Sequence, residues 1–246
     1  MAISAPDVVG YSWAEFEEWF KGRWEPGDHM AFLGPTKVGK STAACAILPM
    51  RKYVVAFDPK GGDRTLATLL NKGFVRLPTW PPSNKIRRDI ADGKPARFIL
   101  GQKIETVHDL PVLRRTLAAA LEDVFAEGGW TVYVDELQIA ADRRLMNLSG
   151  SIERLLIAAR DKGVSVVTSY QRPAWVPRTA SEMAWWFCCF YTRDLDTQDR
   201  IAQMAGRPKA EIRGAMRALG KVPHAFMVFA QDPSIPIIVT RAPKAG

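Results

Sequence analysis

Gly34-Pro35-Thr36-Lys37-Val38-Gly39-Lys40-Ser41 matches G-x-x-x-x-G-K-[ST] at every fixed position and constrains the fold more than any other part of the chain. Such a run has chemical meaning only between a strand and a helix. Both flanks are present: the apolar run His29 to Leu33 precedes it, and a helical stretch from Lys40 to about Leu48, stopped by Pro49, follows. In that setting the glycines let backbone N–H groups turn inward, and the helix points its positive end at an anion. Gly34, Pro35, Thr36, Lys37, Val38, Gly39, Lys40, Ser41 and Thr42 are therefore expected to hold the phosphates of ATP. Lys40 would reach the β- and γ-phosphates, and Ser41 would offer its hydroxyl to Mg²⁺.

A second apolar run, Thr131 to Val134, ends in Asp135-Glu136. At the carboxyl edge of a parallel sheet, Asp135 would hold the hydration shell of the magnesium, and Glu136 would orient or deprotonate an attacking water. A kinase needs no water-activating Glu there, because its nucleophile is the acceptor. Strand patterns at Tyr53 to Phe57, Arg97 to Leu100, Val164 to Ser169 and Trp185 to Tyr191 alternate with helical ones. Among the helices, one starting at Asp109 repeats Leu113, Leu117, Leu121 and Val124 and ends at Gly128-Gly129. This alternation predicts an α/β protein with a central, mostly parallel sheet flanked by helices.

The remaining segments set the expected boundaries. Residues 1–28 read as an N-terminal helical segment with Ser12 and Glu15 as a capping box and Trp13, Phe16 and Phe20 on one face. That face is expected on the chain's own core, with a subunit contact as the alternative. Residues 29–206 form the nucleotide core, and 207–246 a basic helix and two short strands of the same domain. The proline-rich, charged stretch from Pro78 to Lys94 is expected as an exposed excursion. Trp185, Trp186, Phe187, Phe190 and Tyr191 read as a strand buried on both faces rather than a base-stacking surface. No apolar run approaches the length of a membrane helix, and no signal-peptide pattern opens the chain. Cys45, Cys188 and Cys189 have neither zinc spacing nor a disulfide framework, which points to a reducing cytoplasm.

With the phosphate loop, Phe57-Asp58-Pro59-Lys60-Gly61, Val134-Asp135-Glu136 and Tyr170-Gln171-Arg172-Pro173 in place, the chain resembles the FtsK–HerA superfamily of DNA-pumping ATPases. The likeness covers roughly residues 24–206 and is strongest to compact viral genome-packaging members. It implies a P-loop NTPase of the RecA-like, ASCE type, acting as a homo-oligomeric ring on double-stranded DNA and docked on a portal or similar protein. It also implies γ-phosphate sensing by Gln171 and an arginine finger from a neighbouring subunit. Arg160 in Ala159-Arg160-Asp161-Lys162-Gly163 is the candidate finger, with Arg154 as the alternative. Lys37, where many relatives have Gly, and Tyr170, where Thr is more usual, depart from the family pattern.

The formal charge of +8 invites a polyanion. Lys209, Arg213 and Arg217 recur every four residues on one helix face, flanked by Arg207 and Lys221, while Arg143 and Arg144 follow the carboxylates. Either patch is a candidate DNA contact, and without a zinc-finger or helix-turn-helix pattern the binding should be sequence-independent. The expected activity is an ATP-driven double-stranded DNA translocase acting as a packaging motor. Its alternatives are a plasmid-transfer or repair translocase, a small-molecule P-loop kinase, and a nucleotide-dependent binding module.

Overall fold

In the computed structural model, which describes residues 8–106, 108–172 and 176–243, apolar strands line up side by side with helices on both faces. The strands are β1 (Val8–Gly10), β2 (His29–Leu33), β3 (Tyr53–Phe57), β4 (Val75–Leu77), β5 (Ala96–Leu100), β6 (Thr131–Val134), β7 (Ser165–Tyr170), β8 (Ala184–Phe190), β9 (Ala225–Ala230) and β10 (Ile237–Arg241). Their spatial order is β1-β10-β9-β8-β2-β7-β6-β3-β5-β4. From β8 across to β4 every pairing is parallel; β9 runs antiparallel to both β8 and β10, and β1 pairs parallel with β10.

The helices are α1 (Trp13–Lys21), α2 (Lys40–Ile47), α3 (Arg64–Ala67), α4 (Asn84–Ala91), α5 (Asp109–Glu127), α6 (Leu137–Ala141), α7 (Ser149–Ala158), α8 (Arg178–Glu182), α9 (Leu195–Met204) and α10 (Lys209–Leu219). Strand alternation sorts the core into two layers. Ala31 and Leu33 of β2 join the side of α5, α7, α9 and α10, while Met30 and Phe32 join the side of α1, α2 and α3. All five β2 residues are buried, as a strand covered on both faces requires.

α1 starts as its sequence dictates. The Ser12 hydroxyl accepts from the Glu15 N–H (3.3 Å), and the Glu15 carboxylate accepts from the Ser12 N–H (2.7 Å). Phe16 and Phe20 are fully buried and meet Phe226 and Trp186 edge-on, so this face covers the chain's own sheet rather than a second subunit. Each such ring contributes about 1.5–3 kcal/mol through burial. Trp186, Phe187 and Phe190 are likewise interior, in keeping with a strand buried on both faces. The stretch expected as an exposed excursion does contain a helix, α4, with no buried residue; Ile86 and Ile90, one turn apart, rest partly on the core while Arg87, Arg88 and Asp89 face outward.

His29 marks the start of β2 and is locked neutral. Its Nδ1 accepts from the Val166 N–H (2.9 Å), so Nε2 carries the proton and donates to the Leu156 carbonyl (3.1 Å). Burial pushes its pKa down to about 4; the Leu156 bond opposes this and the nearby Arg160 charge adds to it. A histidine depressed below its ordinary value stabilises the fold at high pH and loses that stability as pH falls from about 6.5 through 4. Urea unfolding at pH 7 and pH 4.5 should therefore show the wild type losing about 2 kcal/mol more than His29→Gln. Equal losses in both proteins would contradict this.

Candidate nucleotide site

The parallel strands deliver the sequence-singled residues to one edge. β2 runs straight into the phosphate loop, β6 into Asp135-Glu136, and β7 through Tyr170 into Gln171. Gly39, at φ +108, caps α2 in a conformation that suits glycine. Lys37 also lies in the left-handed region, at φ +67, so the loop makes a glycine-type turn there with a lysine bearing the strain. Lys40 Nζ donates to the carbonyls of Gly34 and Pro35, each at 2.8 Å, which aims the ammonium across the mouth of the loop. Burial lowers the Lys40 pKa, while the charges of Asp135 and Glu136 oppose the shift.

Asp135 is nearly buried, and Ser41 Oγ donates to its two carboxylate oxygens at 3.2 and 3.1 Å. The Tyr133 hydroxyl donates to Oδ1 at 2.9 Å. Tyr133 precedes Asp135 by two residues and so shares its face of the strand. Burial raises the Asp135 pKa, the two hydroxyls hold it down, and Asp63 and Glu136 add to the rise. Among the described residues Asp135 has no ion-pair partner within reach. A buried carboxylate served only by hydroxyls, beside a serine hydroxyl, suits a hard divalent cation that keeps most of its waters. No cluster of three or more His, Cys, Asp or Glu side chains among the described residues could cage a metal by itself.

Glu136 adopts a left-handed backbone, φ +51 and ψ +63, between β6 and α6. Lys60 Nζ lies 2.6 Å from its Oε1. Lys60 belongs to a turn stapled by Asp58, whose buried carboxylate accepts from the N–H groups of Gly61 (3.0 Å) and Asp63 (3.2 Å) and pairs with Arg76 (2.9 Å). Gly61 is obligatory: at φ +69, an added Cβ would lie 1.8 Å from the Gln102 carbonyl oxygen.

These groups surround one cavity of about 700 Å³, lined by Lys40, Ser41, Asp135, Glu136 and Gln171, with His224 and Arg241 also on its wall. Gln138 Oε1 and Ser169 Oγ, from residues on the same wall, are buried without a hydrogen-bond partner. Pro173, the last residue of the Gln171 segment, lies outside the described residues.

Arg160 is elsewhere. It follows α7 and reaches Asp28 Oδ1 at 4.0 Å, at the amino end of β2, and its side chain is 64% exposed. The phosphate loop leaves the other end of that five-residue strand, roughly 15 Å away. Arg154 is instead tied to α5, bonding Glu122 at 2.9 Å and lying over the Phe125 ring. The basic helix face is partly neutralised, since Lys209 and Arg213 both bind Asp199 of α9 at 2.7 Å. Arg207 is interior and holds the carbonyls of Pro233 and Ile235. Arg217 follows on α10, and Arg143 and Arg144 are exposed on the turn after α6.

Sequence reasoning missed four participants. Tyr133 was legible from the two-residue period of β6. Lys60 stood in a recognised segment but carried no assigned role. His224, whose Nδ1–H donates to the Val38 carbonyl at 3.0 Å, and Arg241 gave no local signal, because they reach the site from the far end of the chain.

No protein-family model matches the chain, and no curated protein matches it in sequence. Solved structures do match. The genome packaging NTPase B204 from Sulfolobus turreted icosahedral virus 2, in complex with sulfate, superposes with a TM-score of 0.60 at 17% identity, covering 89% of this chain and 98% of that one. The same NTPase with ATP-gammaS gives 0.55 at 16% identity, covering 88% and 98%. EssC (ATPases 2 and 3) from Geobacillus thermodenitrificans gives 0.52 at 10% identity over 84% of this chain and 38% of that one. The fold is thus that of P-loop ATPases and resembles a viral packaging ATPase, in agreement with the likeness read from the sequence.

Gly61→Ala should destabilise the chain by about 2–4 kcal/mol in urea titration, the range for a strained backbone combined with a backbone clash. A loss under about 0.5 kcal/mol would show that the turn tolerates a side chain.

Proposed function

We propose that this chain is an ATP-driven translocase of double-stranded DNA, working as a homo-oligomeric ring and serving as a viral genome-packaging motor. The observation that carries this reading is the convergence of Lys40, Ser41, Asp135, Glu136 and Gln171 on one cavity at the carboxyl edge of a parallel sheet. The neighbour described as a genome packaging NTPase, matched over 98% of its own length, supports packaging over other DNA transfer.

In the mechanism, residues 34–42 wrap the triphosphate with backbone N–H groups, and Lys40 leaves its two carbonyl partners for β- and γ-phosphate oxygens. Ser41 and Asp135 are the residues that would hold Mg²⁺, which supplies positive charge to the phosphate oxygens when bound. Glu136 orients a water in line with the γ-phosphorus and accepts its proton. Gln171, whose amide both donates and accepts, links the γ-phosphate to the end of β7, so loss of that phosphate pulls on the strand. Arg160, too far from its own loop, enters the site of the next copy. DNA backbone phosphates are met by the basic surfaces around Arg143 and Arg144 or along Lys209, Arg213 and Arg217. Among the described residues no helix is long and apolar enough to cross a membrane. The motor is placed in the cytoplasm of a host, anchored during packaging by a portal-type docking protein.

Lys40→Ala should abolish tight ATP binding. Glu136→Gln should bind ATP normally and lose about 10²–10⁴-fold in turnover, the range for removing a general base. Linear double-stranded DNA should stimulate the wild type, and the stimulation should fade between low and moderate salt. Normal turnover by Glu136→Gln, or phosphate transfer only to a small acceptor, would refute the reading.

A further inference from the structure

The groups assigned to chemistry occupy one end of the nucleotide cavity, and its other walls come from the end of the chain: His224, Ala242 and Pro243. Strand polarity explains how they arrive. β9 runs antiparallel to β8 and therefore starts at the edge where β8 ends. β10 runs back along β9 and finishes at the same edge, with Arg241 paired to Ala225. His224, the residue before β9, thus meets the phosphate loop. Along that edge the strand order is β6, β7, β2, β8, β9, β10. Glu136 and Gln171, which follow β6 and β7, lie on one side of the loop that follows β2, and His224 lies on the other. A triphosphate laid across the loop with its γ-phosphate toward Gln171 therefore carries its sugar toward His224.

A histidine that satisfies one carbonyl in a helix-to-strand turn is by itself ordinary. His224 does more than that. Its backbone is left-handed, at φ +61, a conformation that costs free energy in any residue with a side chain. Its Nδ1 crosses 186 residues of sequence to reach the Val38 carbonyl at 3.0 Å. Its ring lies against the bare face of Gly39, where an added Cβ would stand 3.4 Å from Nδ1, at the start of α2. A carbonyl can only accept, so in the neutral ring Nδ1 carries the proton and Nε2 is left as an acceptor. Among the described residues Nε2 has no hydrogen-bond partner, and the residue is exposed on the cavity wall. An acceptor in that place selects a donor, and the donors of a nucleotide nearest its phosphates are the ribose hydroxyls.

Accepting the reading of residues 34–42 as the cradle for the phosphates of ATP, we infer that His224 is a nucleoside-binding residue. Its Nε2 accepts a hydrogen bond from a ribose hydroxyl while its Nδ1–H fixes the Val38 turn of the loop. Ala242 and Pro243 supply apolar surface for the base beyond the sugar. The antiparallel pair β9–β10 thereby completes a site whose phosphate half belongs to the parallel sheet.

Titration calorimetry of the full chain in EDTA, which prevents turnover, tests this with three probes: ATP, 2′,3′-dideoxy-ATP and inorganic tripolyphosphate. The wild type should bind dideoxy-ATP about 2- to 12-fold more weakly than ATP, the factor that one hydrogen bond is worth. His224→Asn keeps an amide donor near the Nδ1 position and tolerates a left-handed backbone, but has no atom at Nε2. It should lose the same factor for ATP, bind ATP and dideoxy-ATP alike, and hold tripolyphosphate as the wild type does. A wild type that does not distinguish ATP from dideoxy-ATP would overturn the inference. So would a folded His224→Asn that loses equal affinity for ATP and tripolyphosphate, since the histidine would then act on the phosphates. A wild type that binds neither ATP nor tripolyphosphate would contradict the phosphate-loop reading itself, and the inference would fall with it.

Discussion

The parallel polarity of the seven strands from β8 to β4 is the constraint on which the rest depends. Every strand that runs the same way releases its loop at the same edge, so loops distant in sequence meet there without any local design. Residues 34–42 after β2, Lys60 after β3, Asp135 and Glu136 after β6 and Gln171 after β7 all leave that edge. The same polarity sends Arg160, which lies before β7, to the opposite edge. A chain built this way gathers most of a hydrolytic site but cannot bring its own Arg160 to it. In the proposed ring, where Arg160 acts as the finger, a second copy would supply the group that this polarity keeps from its own site.

Within the site, burial and charge act against each other. Desolvation lowers the Lys40 pKa and raises that of Asp135, and each is partly compensated by its neighbours. The same burial keeps Tyr133 protonated, so its hydroxyl remains a donor to Asp135. Both charged groups are held by weak substitutes, Lys40 by two carbonyls and Asp135 by two hydroxyls. In the proposed reading, phosphate oxygens and a hydrated divalent cation would be stronger partners for these same atoms, so nucleotide entry would exchange poor contacts for better ones.

Much of this was legible in the sequence, and the exceptions follow a pattern. The phosphate loop and the Asp135-Glu136 pair could be read because their signal is local: fixed residues at fixed spacing beside an apolar strand. β2, β3 and β6 were found at their observed bounds for the same reason. β1 and β4 escaped because three residues are too few to show a period, and they lie at the sheet's two edges, where Val8 and Val75 are half exposed. The Lys60–Glu136 contact escaped because it spans 76 residues and arises only from β3 lying beside β6. The basic face of α10 could be read from four-residue spacing, but its neutralisation by Asp199 depends on how α9 and α10 meet.

The central claim, a site completed by a second copy, is tested most directly by mixing two inactive variants. Arg160→Ala alone should lose about 10³–10⁵ in ATP turnover, the usual effect of removing an arginine finger. Glu136→Gln subunits keep Arg160, and Arg160→Ala subunits keep Glu136. Mixed assemblies should therefore contain interfaces with both groups intact. The account predicts that DNA-stimulated hydrolysis returns on mixing and peaks at an intermediate ratio. No recovery at any ratio, or a fully active Arg160→Ala variant, would contradict it.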